Sequence, residues 1–404
     1  MEKEQIYILT GEHSLSLKAL SKADSSDMIY SFPLNYGNQV PIAFEVRGDY
    51  LSYEIAKDGQ YNQVIKFQMP PFKKDEVKKI YFRYWVLTKK IDRGELLGQE
   101  FLPIDDKLPK ATKKWLKPTK SIQSNNFFIR VTSRFLQGFS RDSFKYSKKV
   151  AFWICYHGIF INYFKKFLVR HPIWHRIFLP DYYWYPLEDA FSSLLFGGVC
   201  SAEANLQIAL HRARGIPARL LITSCSFYGK DEWLDSQHYI AEIYSPKYGW
   251  VKTQSGMLSI PEEYNIIMKI ADIEDENIAG NGLSKFGGMV SWFSISDDNI
   301  VFDVQRDYLK FKLPKSKIVG FPVLRAWGEK QIEVSSRESK KIVQITKQVW
   351  ELFVNKKEEF NIKNELSLEV FSSMQKKALD ALINNQFEKF ILVMENIKDS
   401  LTKI

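Results

Sequence analysis

The sequence predicts an α+β protein, and three observations predict it. Strand-type alternation fills the chain to about residue 110, helix-type spacing follows between 127 and 164, and strand patterning returns after 219 before a helical C-terminal end. In "PIAFEVRGDYLSYEI", Ile42, Phe44 and Val46 alternate with Ala43, Glu45 and Arg47, the period of a half-buried strand, and Gly48-Asp49 supplies a turn signal. "QVIKFQMPPF" and "KKIYFRYWVL" continue with β-branched and aromatic residues around a Pro-Pro break. Several short strands in series predict an N-terminal antiparallel β-sandwich over residues 1–118.

The pattern changes near Trp115–Ser124. Phe128, Ile129, Thr132, Phe135, Leu136 and Phe139 recur at helical spacing behind Asn125 or Asn126 as N-cap, and residues 141–164 supply a second helix. Its apolar run Val150–Phe164 is interrupted by His157, Gly158 and Asn162, too short and too polar to span a bilayer, and reads as a buried helix. A segment rich in Trp, Tyr, His and Pro (171–186) leads to "GGVCSAEANLQIALHRARGIPARL", residues 197–220. A strand over 219–229, the polar loop "KDEWLDSQ" and a hairpin over 238–254, turning at Ser245-Pro246-Lys247-Tyr248-Gly249, come next. Past 335, Ile342, Ile345, Val349, Leu352 and Phe353 follow helical spacing. The division is therefore 1–118, a core over 119–335, and a helical extension over 336–404 expected to be separable from the core.

Composition narrows the function classes. The 404 residues are 45% hydrophobic and 15% aromatic, enough to fill substantial cores, and the formal charge is +10. The densest basic run, Lys113-Lys114 through Lys117 and Lys120, reads as a solvated face with no nucleic-acid motif beside it, so no nucleic-acid partner is expected. Three cysteines, Cys155, Cys200 and Cys225, argue against a disulfide framework or a four-cysteine zinc site and fit a reducing compartment. The N-terminus lacks a signal-peptide layout, so a cytoplasmic location is expected. His171 and His175 have metal-like spacing, but Pro172 lies between them and no Cys or Glu cluster completes a site; neither metal nor cofactor is expected. Cys155 and Cys225 read as core residues and His211 as the polar edge of its helix.

The 197–220 stretch looks chemical. Gly197 and Gly198 allow a tight turn into a helix, Ala202, Leu206, Ala209 and Ala213 line one side of it, and Gly215 and Pro217 stop it. Cys200 then sits at the positive end of a helix dipole, where a thiolate is favoured. His238 begins a strand downstream and suits proton transfer to and from a thiol; Gln254 on the next strand can reach the far side of its ring. The aromatic residues Trp184 and Tyr185 are candidates for a substrate cleft beside Cys200.

These blocks resemble the core of the transglutaminase-like superfamily, with its G-x-C, a helix, R-x-x-G-I-P-A-R, H-x-x-x-E and G-W-x-x-x-D. The matching residues are Gly198 and Cys200; Arg212, Gly215, Ile216, Pro217, Ala218 and Arg219; His238 and Glu242; Gly249 and Trp250. "WLKPT" and "FINYF" also resemble what precedes this core in bacterial and archaeal members, and the resemblance covers roughly 115–260. It implies a papain-like transglutaminase core and cysteine-dependent acyl transfer on a peptide or side-chain amide through a thioester. Cys200 is then the nucleophile, His238 the proton shuttle and Gln254 the orienter, with hydrolysis favoured over amine cross-linking or amide synthesis. Arg219 and Glu242 are expected in supporting roles at strand ends. The departure is Gln254, which stands where the family carries aspartate and supplies no charge to an imidazolium. That leaves a second reading open, a degenerate module that keeps the fold to bind peptide or glycan.

Overall fold

The computed structural model describes residues 3–24, 26–58, 62–89, 108–139, 142–169, 189–198, 200–228, 233–246, 248–254, 257–258, 265–279, 293–295, 300–302, 318–356 and 368–403. Six strands come first: β1 (Lys3–Ala19), β2 (Ser26–Phe32), β3 (Gln39–Gly48), β4 (Ser52–Asp58), β5 (Asn62–Met69) and β6 (Val77–Lys89). Helices α1 (Phe127–Gln137), α2 (Ser143–Val169), α3 (Ala190–Phe196) and α4 (Cys200–Arg212) follow. Then come strands β7 (Ala218–Tyr228), β8 (Trp233–Ser245), β9 (Gly249–Gln254), β10 (Met257–Leu258) and β11 (Asn265–Ile270), and helix α5 (Ile273–Ala279). Strands β12 (Phe293–Ile295), β13 (Ile300–Phe302) and β14 (Ile318–Ser335) precede helices α6 (Ser336–Asn355), α7 (Leu368–Ile383) and α8 (Phe387–Lys403). The fold is α+β, its sheets antiparallel apart from the short parallel pair β13–β14.

Two sheets form the N-terminal sandwich, β14-β1-β6-β3 and β12-β2-β5-β4. Aromatic side chains fill the space between them: Tyr30 meets Phe82 edge-on at 4.6 Å, and Phe32 meets Phe44 at 5.8 Å. A buried histidine sits among them. His13 Nδ1 bonds the Tyr30 hydroxyl and its Nε2 lies 3.0 Å from the Tyr84 hydroxyl. Gly11 makes room for that tyrosine, since a Cβ there would lie 2.4 Å from the Tyr84 ring. β1 shifts register against β14 between Gly11 and His13, a bulge that bends the long strand.

The alternation expected in β3 is absent: burial runs unbroken to Phe44 and then falls away to Gly48. Ile42, Ala43 and Phe44 are all fully buried, because β3 contributes to the sandwich on one side and is covered on the other by the C-terminal helices. α6 begins where β14 ends, on a capping box between Ser335 and Glu338. Trp350 stacks on Phe32 at 5.6 Å and donates its Nε1–H to Gln63 Oε1 at 3.0 Å; Phe353 stacks on Phe371 at 4.1 Å. These helices are thus built into the sandwich, through Phe32 and Gln63. The amphipathic spacing that identified α6 gave no address for its apolar face. β14, grouped with residues 119–335 on sequence grounds, runs antiparallel to β1 from Lys3↔Ser335 to Ala19↔Ile318.

The second half of the large sheet is antiparallel in the order β11-β7-β8-β9-β10, and it meets the first half at one pair, Ala326↔Leu234. β8 starts at Trp233, inside the stretch read as a polar loop: Trp233–Gln237 pair with Tyr228–Ser224, so a strand partner overrides local polarity. Side-chain amides complete the joint. Gln39 Nε2 donates to Leu34 O and Ile267 O, and Ile267 N donates back to Gln39 Oε1, each at 2.8 Å. Asn62 Nδ2 donates to Ile270 O at 2.9 Å and Ile270 N donates to Asn62 Oδ1 at 2.8 Å.

Candidate active site

The site is built around α4. Asp189 caps α3 by accepting from Ser192 N at 2.8 Å, and α3 ends at Gly197, whose φ of 64° lies in the left-handed region glycine favours. The chain then re-enters a helix at Cys200, the first residue of α4. Ser201 through Arg212 are buried apart from Glu203, so α4 is a central helix, while Cys200 at its open end is half-buried. The far end closes as the Gly-Ile-Pro run predicts: Gly215 takes φ 75°, and Ile216 N donates to His211 O at 3.1 Å while Gly215 N donates to Arg212 O at 3.0 Å.

His211 is not a polar edge. It is fully buried, because α2 covers this side of α4. Its Nδ1 lies 2.7 Å from Gln207 O, a pure acceptor, so Nδ1 carries the proton; Nε2 then accepts from Ser147 Oγ at 2.9 Å. Burial pushes the imidazole down to about 4, which keeps it neutral.

A cavity of about 180 Å³ opens at the start of α4, lined by Cys200, Glu203, Ala204 and Gln207 of the helix and by His238, Tyr239 and Ile240 of β8. That is below the roughly 300–1,000 Å³ of sites enclosing a whole small molecule, and suits one side chain or the carbonyl end of a larger substrate. A thiol on the positive end of a helix therefore shares one cleft with a histidine on a neighbouring strand, the pairing that nucleophilic cysteine chemistry requires. Gln254 ends β9, opposite Met257 of β10; its side chain lies outside the described residues, as do Trp184, Tyr185, His171, His175 and the side chain of Cys225. Cys155, read as core, is only half-buried.

Glu203 and Gln207 were missed by the sequence reading. They recur with Cys200 at helical spacing (200, 203, 207), a signal open to inspection. Gln207 Nε2 donates to Thr253 Oγ1 at 2.8 Å, which ties the helix to the residue before Gln254. Gly158 of α2 leaves space for Glu203, whose Oε1 would lie 3.0 Å from a Cβ at that glycine.

Below the cleft, two buried ion pairs hold the strands. Arg219 Nε donates to Glu242 Oε2 at 2.9 Å, the Tyr36 hydroxyl lies 3.0 Å from both Glu242 oxygens, and the Arg219 guanidinium lies 3.9 Å over the Trp250 ring. Burial and Glu242 push the Tyr36 phenol up, so it stays protonated and donates. Arg212 grips Glu276 with both terminal nitrogens, at 2.9 and 2.6 Å, and donates to Ala218 O and Lys117 O. The motif residues Arg212, Arg219 and Glu242 therefore fix the frame on which His238 is carried; Arg219 stands at the start of β7 and Glu242 near the end of β8, and all three are buried. Among the described residues, no cluster of His, Cys, Asp and Glu could hold a metal ion.

Comparison with known proteins agrees with the motif blocks. Residues 188–255 match the family model described as the Transglutaminase-like superfamily. A crystal structure of a candidate cysteine protease from Cytophaga hutchinsonii aligns over 83% of this chain and 92% of its own, with 14% identity and a TM-score of 0.48. The periplasmic domain of TgpA from Pseudomonas aeruginosa aligns over 62% of this chain and 87% of its own, with 12% identity and a TM-score of 0.27. No curated protein matches the sequence.

Proposed function

Since residues 188–255 carry a transglutaminase-like core, we propose that the protein is a thiol hydrolase that cleaves a peptide or side-chain amide through a cysteine thioester. The observation that carries this reading is the shared cleft of Cys200 and His238. Cys200 attacks the substrate carbonyl as the thiolate, and His238 gives its proton to the departing amine. The tetrahedral oxyanion is met by the backbone N–H of Cys200 at the helix start. Water then attacks the thioester, His238 takes its proton, and the acid leaves with the thiol restored. Gln254 holds the ring through its amide oxygen, a neutral orienter that leaves the thiolate–imidazolium pair less stabilised than a carboxylate does.

The test is selective alkylation. At about pH 6.5, iodoacetamide should label Cys200 at least about ten-fold faster than Cys155, and His238→Ala should abolish the difference. Equal labelling of the two thiols in the folded protein would overturn the enzyme reading in favour of a peptide- or glycan-binding module.

A further inference from the structure

The outer faces of α1 and α2 carry apolar side chains where solvent-facing helices normally carry polar ones. On α1, Ile129, Ser133 and Leu136 turn inward, while Phe128, Val131 and Phe135 recur at i, i+3, i+7 on the opposite side, 55, 48 and 81% exposed. α2 repeats the arrangement. Tyr146, Val150 and Ile154 are buried, whereas Phe152, Tyr156 and Ile159 are 44, 68 and 49% exposed. The helix expected to be buried is thus buried on one side only. Ser133 Oγ and the Tyr146 hydroxyl both donate to Leu210 O, at 2.9 and 2.7 Å, so α1 and α2 lie side by side on α4 and their outward stripes form one face. Phe139 stands fully exposed just beyond α1, and Leu195 and Phe196, half-exposed at the end of α3, extend the apolar surface toward the start of α4.

The charge of this region is one-sided. Residues 127–169 hold eight Lys and Arg against one acid, Asp142. Arg130 and Arg134 flank the α1 stripe, and Lys145, Lys148 and Lys149 precede that of α2. We propose that this face docks the protein on an anionic lipid bilayer, as an interfacial contact. No single described helix is long and apolar enough to cross a membrane. The apolar groups are ridges on convex helices, which a deformable hydrocarbon phase receives without a preformed groove. The basic residues match anionic headgroups. A two-fold contact with a second copy through the same face would instead bring like charges together.

The experiment is vesicle co-sedimentation of the full chain, with phosphatidylcholine vesicles with and without about 30% phosphatidylglycerol. Binding should require the anionic lipid and weaken at least about ten-fold when salt is raised to about 0.5 M. Phe135→Ser with Tyr156→Ser should lower binding at least about ten-fold while the circular dichroism spectrum and melting temperature stay near wild type, since both side chains are exposed. Should that pair disturb folding, Ile159→Ser with Arg134→Gln serves the same purpose. Equal binding to neutral vesicles, undiminished binding of the variants, or no vesicle binding alongside a dimer that Phe135→Ser dissociates would each overturn the proposal.

Discussion

Acid should destabilise this protein by about 3 kcal/mol through His211. His211 is fully buried between α4 and α2, its Nδ1–H committed to Gln207 O and its Nε2 to Ser147. Burial holds it at about 4 in the folded protein, below the ordinary histidine value of 6.5. The unfolded chain therefore binds a proton that the native protein refuses between these values, and stability falls with pH throughout that window. One proton is worth about 1.4 kcal/mol per pH unit, so the loss reaches about 3 kcal/mol by pH 4, a large share of a typical 5–15 kcal/mol. A carboxylate such as Glu4, held down to about 2 by Lys89, loses its stabilising charge only below about 4.5; His157, lowered by burial, acts in the same sense as His211, while the buried Glu242 and Glu276, raised by burial, act in the opposite one, so His211 is isolated by comparing the protein with a variant that lacks it. Urea unfolding followed by tryptophan fluorescence at several values between about pH 7 and 4.5 gives the slope. His211→Asn lowers stability at every pH but removes the titration, so its slope should be shallower by close to one proton. Parallel slopes for the two proteins would refute the assignment of a neutral, buried His211.

The remaining predictions concern the frame and the site. Trp350→Ala should cost about 3–5 kcal/mol in denaturant unfolding, and a chain ending at 335 should fail to fold cooperatively, because Phe32 and Phe44 lose their cover. Glu242→Gln should cost about 3–5 kcal/mol by leaving Arg219 buried without its counter-charge, and Arg219→Met on that background should recover part of the loss in a double-mutant cycle. Gln254→Ala should slow alkylation of Cys200 without unfolding the protein, and Gln254→Asp should speed it and extend it to lower pH by stabilising an imidazolium; an unchanged rate and pH profile in both would remove Gln254 from the site.

The sequence is most informative where the determinants are local. Asn126 as N-cap of α1, the stop at Gly215 and the β8–β9 hairpin are each written within a few residues, and the structure has all three. The cleft was legible because Cys200 and His238 stand in separate, ordered blocks, and Gln207 could have been added from helical periodicity. Burial was harder to read. His211 looks like a surface residue until α2 is laid over it, and Phe128, Val131 and Phe135 form as good an apolar stripe as any core-facing one although they point outward. Periodicity fixes which residues share a helix face; it does not say which of two apolar faces meets the core. The same holds for β14, whose partner β1 lies about three hundred residues upstream, and for α6, whose apolar face needs Phe32 and Phe44 to define its place.

The amide contacts of Gln39 and Asn62 have a consequence for how β11 can vary. Each side chain offers a donor and an acceptor to main-chain atoms of β11, as the peptide group of a further strand would. With the Leu34 N–H, which donates to Ile267 O at 3.0 Å, these two side chains close at those positions the open edge that could recruit another chain. Because the grip is on peptide atoms, it is blind to which side chains β11 carries: its residues are free to change wherever their own burial allows, and the joint survives. The two amides have no such latitude. Asn62→Asp or Gln39→Glu keeps the acceptor, discards the donor and sets a carboxylate against a backbone carbonyl, so the permissiveness of the joint requires that this pair of side chains stay neutral.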